Sequence, residues 1–529
     1  MVNSCINEKK RNVILDEYDD IIKKLKKHRK AHKKKMLNVV QDIEQPAWTR
    51  VNPAPSLNND TNSYRLCVGF KNIGCKYRDT DEKKLGCLNC GYYATTAFKN
   101  INQETILLQL KNSFKIADKE SMPYNSIEFL NDGSFINYEE FNKSTQESIF
   151  NIVNKMPHIK RVLIESKAEY ILEHNITFLL DILRDDQKLE VGIGLESYDD
   201  FIRDICINKG FSIDIFENSI KILSNLDNKY KNRVSIITYL LVKPAFISQK
   251  EAINDIINTL EYLALLSSKY EVEIIPKLEP AAIVDGTILS MLYFDKDSKF
   301  NYKPLNYWAV LEILASVYLN PLTKSFISNI RIGAREDMDD ILKIPAIYNE
   351  DGTFHQFDFV LYEVIQKFNQ HHDILRVFEV LSDVYIFLDN ASIIDIKSSL
   401  SKFYKNFGIE NKAIEKFYEL ESSKSNINRF EIKQEIAFLK TLSKVLDIME
   451  GYDSNNIKIQ NEIIKSLNSK DKINLIKNIE MCFDLVDHNK MIEIYIINIV
   501  YNKQNIQVFF DVKDLLSNSK FSLWSIIKK

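Results

Sequence analysis

Between Tyr64 and Pro276, short runs of β-branched and aromatic residues alternate with segments whose apolar positions recur every three or four residues. The strand-like runs are Tyr64–Phe70, Ile127–Leu130, Arg161–Glu165, Glu190–Leu195, Val234–Val242 and Glu271–Pro276. Helical periodicity marks the segments around Glu104–Phe114, Tyr138–Asn154, Ile176–Leu183, Ile213–Leu226 and Lys250–Leu266. Strands alternating with helices predict βαβ units and a parallel sheet. Six such strands fit an α/β fold built as a partial or complete (β/α) barrel. A seventh strand is expected at Ile327–Ile332, after a helix around Trp308–Tyr318.

The alternation fades from about Asp339. Phe357–Phe368 reads as an apolar-rich helix, and Phe430–Glu450 carries Ile432, Ile436, Leu439, Leu442, Val445 and Met449 on one face before Gly451. Met491–Val500 and Ile506–Val512 read as a hairpin joined by Asn502–Asn505. Three regions are therefore expected: a basic arm with a Pro/Asn-rich linker (1–63), the barrel (64–338), and a mostly helical accessory domain ending in a β-hairpin (339–529). Within the first, Gln45–Asn62 reads as a linker or wrapped extended segment.

Composition narrows this picture. Of 529 residues, 45% are apolar and 11% aromatic, which excludes a disordered or fibrous chain. No run approaches the roughly 18 apolar residues of a membrane span, and the first residues lack the apolar core of a signal peptide, so a cytoplasmic location is expected. The formal net charge of −3 conceals an asymmetry: residues 1–36 hold 12 basic and 5 acidic side chains, a net +7 against −10 for the rest. The basic charge peaks at Lys23–Lys35, where nine of thirteen residues are Lys or Arg. Such a cluster attracts phosphates through counterion release, or serves as a solvated, partly helical tail.

The seven cysteines are 5, 67, 75, 87, 90, 206 and 482, an odd number that does not describe a disulfide framework. Cys75, Cys87 and Cys90 fall within sixteen residues, on the loop expected to leave the first barrel strand. Thiolates are soft ligands that select zinc, copper(I) or iron–sulfur clusters. A four-ligand zinc site would need Cys67, which otherwise reads as a core residue; it would suit a zinc-stabilised nucleic-acid-binding protein without radical chemistry. A [4Fe-4S] cluster with one iron left open fits three cysteines better, and a Cys87–Cys90 redox pair leaves Cys75 unexplained.

Gly74-Cys75, with Gly86-Cys87-Leu88-Asn89-Cys90-Gly91-Tyr92, resembles the cluster loop of radical SAM enzymes. Within these the chain is most similar to the radical SAM subunit family of archaeosine synthase, and more distantly to the catalytic subunit of elongator. Further matches follow in order: Asn131-Asp132-Gly133-Ser134-Phe135, Val162-Leu163-Ile164-Glu165-Ser166 with Glu169-Tyr170, Gly192-Ile193-Gly194-Leu195-Glu196-Ser197, Ile207-Asn208-Lys209-Gly210-Phe211-Ser212 and Tyr239-Leu240-Leu241-Val242-Lys243-Pro244. The resemblance covers about residues 64–335. The eleven residues between Cys75 and Cys87 are closer to elongator-like spacing, and the part beyond Asp339 has no counterpart in the archaeosine enzyme.

The resemblance implies a barrel of radical SAM type with a [4Fe-4S] cluster on Cys75, Cys87 and Cys90. The open iron would chelate S-adenosylmethionine (SAM), whose reductive cleavage would yield a 5′-deoxyadenosyl radical. A single-electron donor such as flavodoxin or ferredoxin is implied, and tRNA becomes a possible partner for the basic arm, with a modified tRNA base, a small molecule or a peptide as substrate. For SAM itself the resemblance implies Gly133 and Ser134 at the methionine end and Glu196 at the ribose or amino group. Glu165 and Lys243 face the same mouth, where a buried Glu–Lys pair is the structural alternative, and Asn89 stands where many such loops place an aromatic beside the adenine. Outside this set, Asp285-Gly286-Thr287 reads as a turn, His371-His372-Asp373 as a helix terminus and Cys206 as core.

Overall fold

The computed structural model describes residues 5–37, 42–54, 64–79, 85–92, 96–120, 122–295, 307–333 and 356–372, a few single positions up to 377, and the backbone of two strands at 495–510. The chain divides into two compact units. The first comprises Met1–Ala309, Ser325–Ala346 and Ile365–His372; the second comprises Val310–Lys324, Ile347–Val364 and Asp373–Lys529. The boundary expected at 338 and the helix expected at Phe430–Glu450 lie outside the described residues.

The first unit opens with α1 (Glu8–Leu37), then β1 (Trp48–Pro53) and β2 (Tyr64–Phe70). After the short α2 (Lys76–Asp79) come α3 (Gln103–Glu120), β3 (Tyr124–Asn131), α4 (Lys143–Asn154), β4 (Arg161–Ser166), α5 (Glu173–Ile182) and β5 (Lys188–Gly194). The run continues with α6 (Ile213–Lys229), β6 (Val234–Val242), α7 (Gln249–Tyr270), β7 (Ile274–Pro280), α8 (Ile288–Phe294) and, after α9 (Tyr307–Leu319), β8 (Arg331–Ile332). α9 and α10 (Gln356–His371) each begin in one unit and end in the other. The strands form one sheet in sequential order from β1 to β8. β2 to β8 pair in parallel and β1 joins the edge antiparallel, so the fold is an open, curled α/β half-barrel rather than a closed one. In the second unit β9 (Tyr495–Tyr501) and β10 (Gln504–Phe510) pair antiparallel.

Three elements differ from the sequence expectation. Residues 48–53, within the expected linker, are an edge strand in register with β2, Trp48 opposite Gly69. β7 begins at Ile274 because Glu271 takes a left-handed conformation that caps α7, which moves Lys277 and Glu279 from the expected loop into the strand. Pro276 and Pro280 pair with Thr238 and Val242 of β6, and both lie outside Lys277–Leu278, the segment that pairs with β8. The seventh expected strand shrinks to Arg331–Ile332 behind a tight turn at Lys324–Ser328.

Period-two alternation separates the two faces of the sheet. On the helix-covered face, Phe70 and Phe129 pack with Phe135, Phe141 and Phe150, with ring centroids 5.1 to 5.8 Å apart in the closest pairs. This aromatic cluster anchors the chain immediately after β3, and with it the Gly133–Ser134 turn. The opposite face, toward the inside of the half-barrel, is charged. Arg65 bonds Glu128 at 2.9 Å, while Arg161 and Arg331 both bond Glu190, at 3.2 and 3.0 Å. Burial alone would raise the Glu190 carboxyl, but the Arg331 and Arg161 charges outweigh it and bring it down to about 2.

Glu190→Ala leaves two guanidiniums buried without their carboxylate and should cost about 3–5 kcal/mol of stability, read as a lower urea midpoint. Because the carboxyl is depressed in the folded state, its contribution is present above the ordinary value of 4.5 and disappears as pH falls toward about 2. Glu190→Gln should flatten that acid limb; an unchanged limb would show that the triad is not its source.

Candidate active site

The loop after β2 carries the three clustered cysteines and is tied to its neighbours residue by residue. Cys75 opens α2, whose Arg78 amide bonds the Cys75 carbonyl at 3.1 Å. The Arg78 side chain is buried and forks onto Asp132 at the end of β3, one arm at 3.0 Å. Glu140, from the turn before α4, accepts from the backbone amides of Lys76 (3.0 Å) and Ser134 and from the Asn137 amide (3.0 Å). The cysteine loop and the β3 turn therefore share one carboxylate. Gly133 has φ +122°, and a side chain there would strike Glu140 and come within 3.1 Å of the Cys75 Cα, so only glycine permits this approach.

The second half of the loop leans on the other side of the mouth. The Leu88 amide donates to Ile207 (2.8 Å), and the Leu88 carbonyl accepts from the Ile288 amide (3.0 Å). Gly86, at φ +67°, presents its carbonyl to Asn208 Nδ2 at 2.8 Å. Asn208 is aimed there by a wide π-type turn at Ile202–Ile207 that ends with Asn208 in the left-handed region. Its own carbonyl accepts the Tyr77 hydroxyl at 3.0 Å, closing a ring of contacts around the loop.

Cys75, Cys87 and Cys90 are half-buried and mutually close enough that Cys87 raises the thiols of both others. Burial is the larger cause for Cys75 and Cys90, followed by the Asp132 carboxylate, with Arg78 pulling the other way. Among the described residues no three His, Cys, Asp or Glu side chains converge in ligating geometry. The donor set nevertheless suits a soft, cationic iron–sulfur group: three thiols on one loop, whose desolvation a bound cation would offset. Beside them, both side-chain polar atoms of Asn131 and the Oδ1 of Asn89 are buried with no hydrogen-bond partner among the described residues, as expected of groups that await a polar ligand.

The residues expected around SAM occupy this mouth with the following partners. Asn89 donates to the Cys206 carbonyl at 3.3 Å. Ser134 is buried, and its hydroxyl accepts the Lys167 amide at 3.0 Å. Glu196, at φ +70°, pairs with the buried Lys209 at 2.7 Å, and Lys209 in turn senses Cys87 and Cys90. Glu165 sits on the inner wall of β4, hydrogen-bonded to the Tyr239 hydroxyl; burial lifts its carboxyl to about 7 against the pull of Lys277. The lysine beside Glu165 is thus Lys277, while Lys243 lies 5.0 Å over the Tyr302 ring. Cys67 faces Glu128 at 3.5 Å within an apolar cluster of inner-face residues. Cys206 is core, Thr287 caps α8, and His372 bonds the Ile330 carbonyl at 3.2 Å; Asp373 lies outside the described residues.

Arg78, Asp132, Glu140, Lys167, Lys209, Tyr239, Lys277 and Glu279 were not among the expected site residues. Asp132 and Lys209 stand inside the ordered motifs, and strand periodicity places Lys277 and Glu279 on the inner face once β7 is in register. Nothing in the sequence signals that Glu140 would accept from three donors.

The fold and site define a class: an open α/β half-barrel with a three-cysteine loop at the C-terminal end of its first parallel strand, whose ordered motifs resemble those of radical SAM enzymes. The particular relatives are specific. The chain is 28% identical over 286 residues to archaeosine synthase subunit beta of Methanosarcina acetivorans, covering 53% of this chain and 76% of that protein. It is 26% identical over 250 residues to the protein of the same name from Thermococcus kodakarensis, covering 47% and 70%. An uncharacterized protein of Methanocaldococcus jannaschii is 29% identical over 314 residues, covering 58% and 77%. No family model matches the chain. Among solved structures, the radical SAM methyltransferase TsrM from Kitasatospora setae aligns with a TM-score of 0.30 and 9% identity, over 59% of this chain and 52% of that one. The cobalamin-dependent radical SAM enzyme OxsB aligns with a TM-score of 0.28 and 11% identity, over 76% and 58%. The chain thus spans less than two thirds of either solved protein, and the relationship rests on the sequence relatives and the ordered motifs.

Asp132→Ala strands a buried guanidinium and should lower stability by about 3–5 kcal/mol. Adding Arg78→Met should recover much of that loss, because the cost lies in the uncompensated charge; the cycle is measured by urea denaturation of all four proteins, and simple additivity would refute the coupling.

Proposed function

We propose that this chain is a radical SAM enzyme whose [4Fe-4S] cluster is held by Cys75, Cys87 and Cys90 and whose substrate is a tRNA base. The observation that carries the reading is the close approach of the Cys75 backbone to Gly133, where a side chain would come within 3.1 Å of the Cys75 Cα; the three-thiol loop thus lies against the turn expected to receive the methionine end of SAM. When bound, the two cofactors supply a one-electron cleavage of the sulfonium that starts hydrogen abstraction. The chain's own residues position and shield that chemistry. Gly133 and Ser134 offer close backbone approach, Asn131 and Asn89 offer unspent polar atoms, and Glu196, steadied by Lys209, retains acceptor capacity for a ribose or amino group. The Lys209 ammonium and the Arg78 guanidinium balance negative charge at the thiols. Glu165, lifted to about 7 and bonded to Tyr239, is placed to hold or release a proton on a substrate inside the half-barrel.

The tRNA part is supported by the name of the archaeosine synthase relatives and by α1. Lys23, Lys24, Lys26, Lys27, Lys30 and Lys34 are all exposed on this helix, a cationic face suited to a phosphate backbone. A one-electron protein donor such as flavodoxin or ferredoxin completes the reading.

Anaerobic reconstitution with iron and sulfide should give a coloured protein that releases 5′-deoxyadenosine from SAM plus reductant. Cys75→Ala, Cys87→Ala and Cys90→Ala should each abolish colour and product, whereas Cys67→Ala should keep both. One bound zinc, no colour and no SAM cleavage would instead establish the zinc-stabilised alternative.

For RNA, replacing Lys23, Lys24, Lys26 and Lys27 by Gln should weaken tRNA binding and reduce the slope of log affinity against log salt by about three to four, one per lost phosphate contact. An unchanged slope would exclude this face.

A further inference from the structure

The basic segment is not detached from the half-barrel. α1 buries Ile14 and Leu25 in the same apolar cluster as Leu85, Leu88, Cys206, Ile207 and Ile288. Arg11 approaches Asp199 at 3.8 Å and lies over the Phe201 ring, and Lys10 pairs with Glu251 of the α7 capping box. One basic residue of the Lys23–Lys35 run behaves unlike its neighbours: Arg29 is only 7% exposed.

Its guanidinium donates to four backbone carbonyls. Nε bonds Gly286 (2.9 Å), one Nη bonds Leu85 (2.6 Å), and the other bonds Cys87 (3.1 Å) and Leu88 (3.2 Å). Asn208 takes the carbonyl between them, that of Gly86. Four consecutive carbonyls, 85 to 88, are thereby drawn to partners outside the loop. A loop held by its carbonyls in this way depends for its shape on groups that lie outside it.

We propose that Arg29 is a positioning residue for the cysteine loop, and that α1 is therefore an integral wall of the cofactor mouth rather than an appended arm. This rests on the cluster reading for its consequence, though not for its geometry. A lysine cannot replace it, because a single ammonium on a flexible stem does not span Gly286, Leu85 and Leu88 together.

The test compares wild type, Arg29→Ala and Arg29→Lys in the full chain by amide hydrogen exchange of the metal-free protein, followed by iron content and reduction potential after reconstitution. The Leu88, Cys90 and Ile288 amides are the reporters, because each is hydrogen-bonded within or onto this loop. Their exchange should accelerate about tenfold or more in Arg29→Ala and by a smaller factor in Arg29→Lys. Iron retention should fall in both variants. The potential should move negative in Arg29→Ala and stay near wild type in Arg29→Lys, which keeps the charge.

Unchanged exchange at the three reporters in Arg29→Ala, with α1 still protected, would overturn the proposal. If α1 itself loses protection in that variant, Arg29→Lys decides, and wild-type exchange there would overturn it equally. A wild-type protein that binds no iron would instead refute the cluster reading, with the exchange result still reporting on Arg29.

Discussion

A loop that departs from a parallel strand with three thiols has no ladder to absorb its peptide groups, and buried peptide groups without partners are costly. In this protein the carbonyls of residues 85–88 and the amides of Leu88 and Cys90 are taken up by four separate parts of the first unit: α1, the turn ending at Asn208, the start of α8, and the loop itself. The other half of the loop is held by side chains, Arg78 on Asp132 and Glu140 on Lys76. The positions of Cys75, Cys87 and Cys90 are therefore consequences of the whole β-strand mouth. Neighbouring loops gain order from the same contacts, because Glu140 also holds Ser134 and Ser134 holds the start of the next turn through Lys167.

Charge inside the half-barrel follows the same logic. Ionised groups leave water only with partners. Arg161, Glu190 and Arg331 form a closed triad at the lower end of the inner wall. Nearer the mouth the compensation loosens: Glu165 has a phenol and a nearby lysine, and its carboxyl is lifted to about 7. At the rim, Asn131 and Asn89 keep polar atoms unmatched among the described residues. Saturated polar groups specify a single arrangement, whereas unsatisfied ones leave bonding capacity open. Unmatched polar atoms and closely paired ions thus stand side by side at the rim, where Arg78 meets Asp132 and Lys209 meets Glu196.

The parallel sheet and its helices were legible because periodicity of two and of about 3.6 distinguishes them directly, and β2, β4 and β6 keep the expected positions almost to the residue. The edge strand β1 was hidden by its prolines and asparagines and by the absence of a second apolar face. β7 was displaced because Val272 and Glu273 continue an apolar–polar pattern that the left-handed Glu271 interrupts. In the site, the cysteines and the Gly133–Ser134 turn were readable from spacing and motif order. Partner choice was not. Whether Glu165 meets Lys243 or Lys277 depends on strand register, and both lysines follow equally plausible runs in the sequence.

The N-terminal segment shows why charge counting alone misreads a helix. By composition Lys23–Lys35 is uniform, and a uniform cationic run is naturally taken as a solvated tail or a phosphate contact. Folded as α1, the run acquires two faces. Ile14, Tyr18, Ile21, Leu25 and Arg29 follow one helical stripe, and on that stripe the last position is cationic because what it meets is not apolar side chains but converging carbonyl oxygens. The lysines at 23, 24, 26, 27, 30 and 34 remain exposed. An arginine suits the inner position for the reason lysines suit the outer one: the guanidinium is weakly hydrated and forks across several acceptors, whereas the ammonium is compact and well hydrated. The same thirteen residues can therefore present charge to a polyanion while one of them stabilises the loop that holds the thiols.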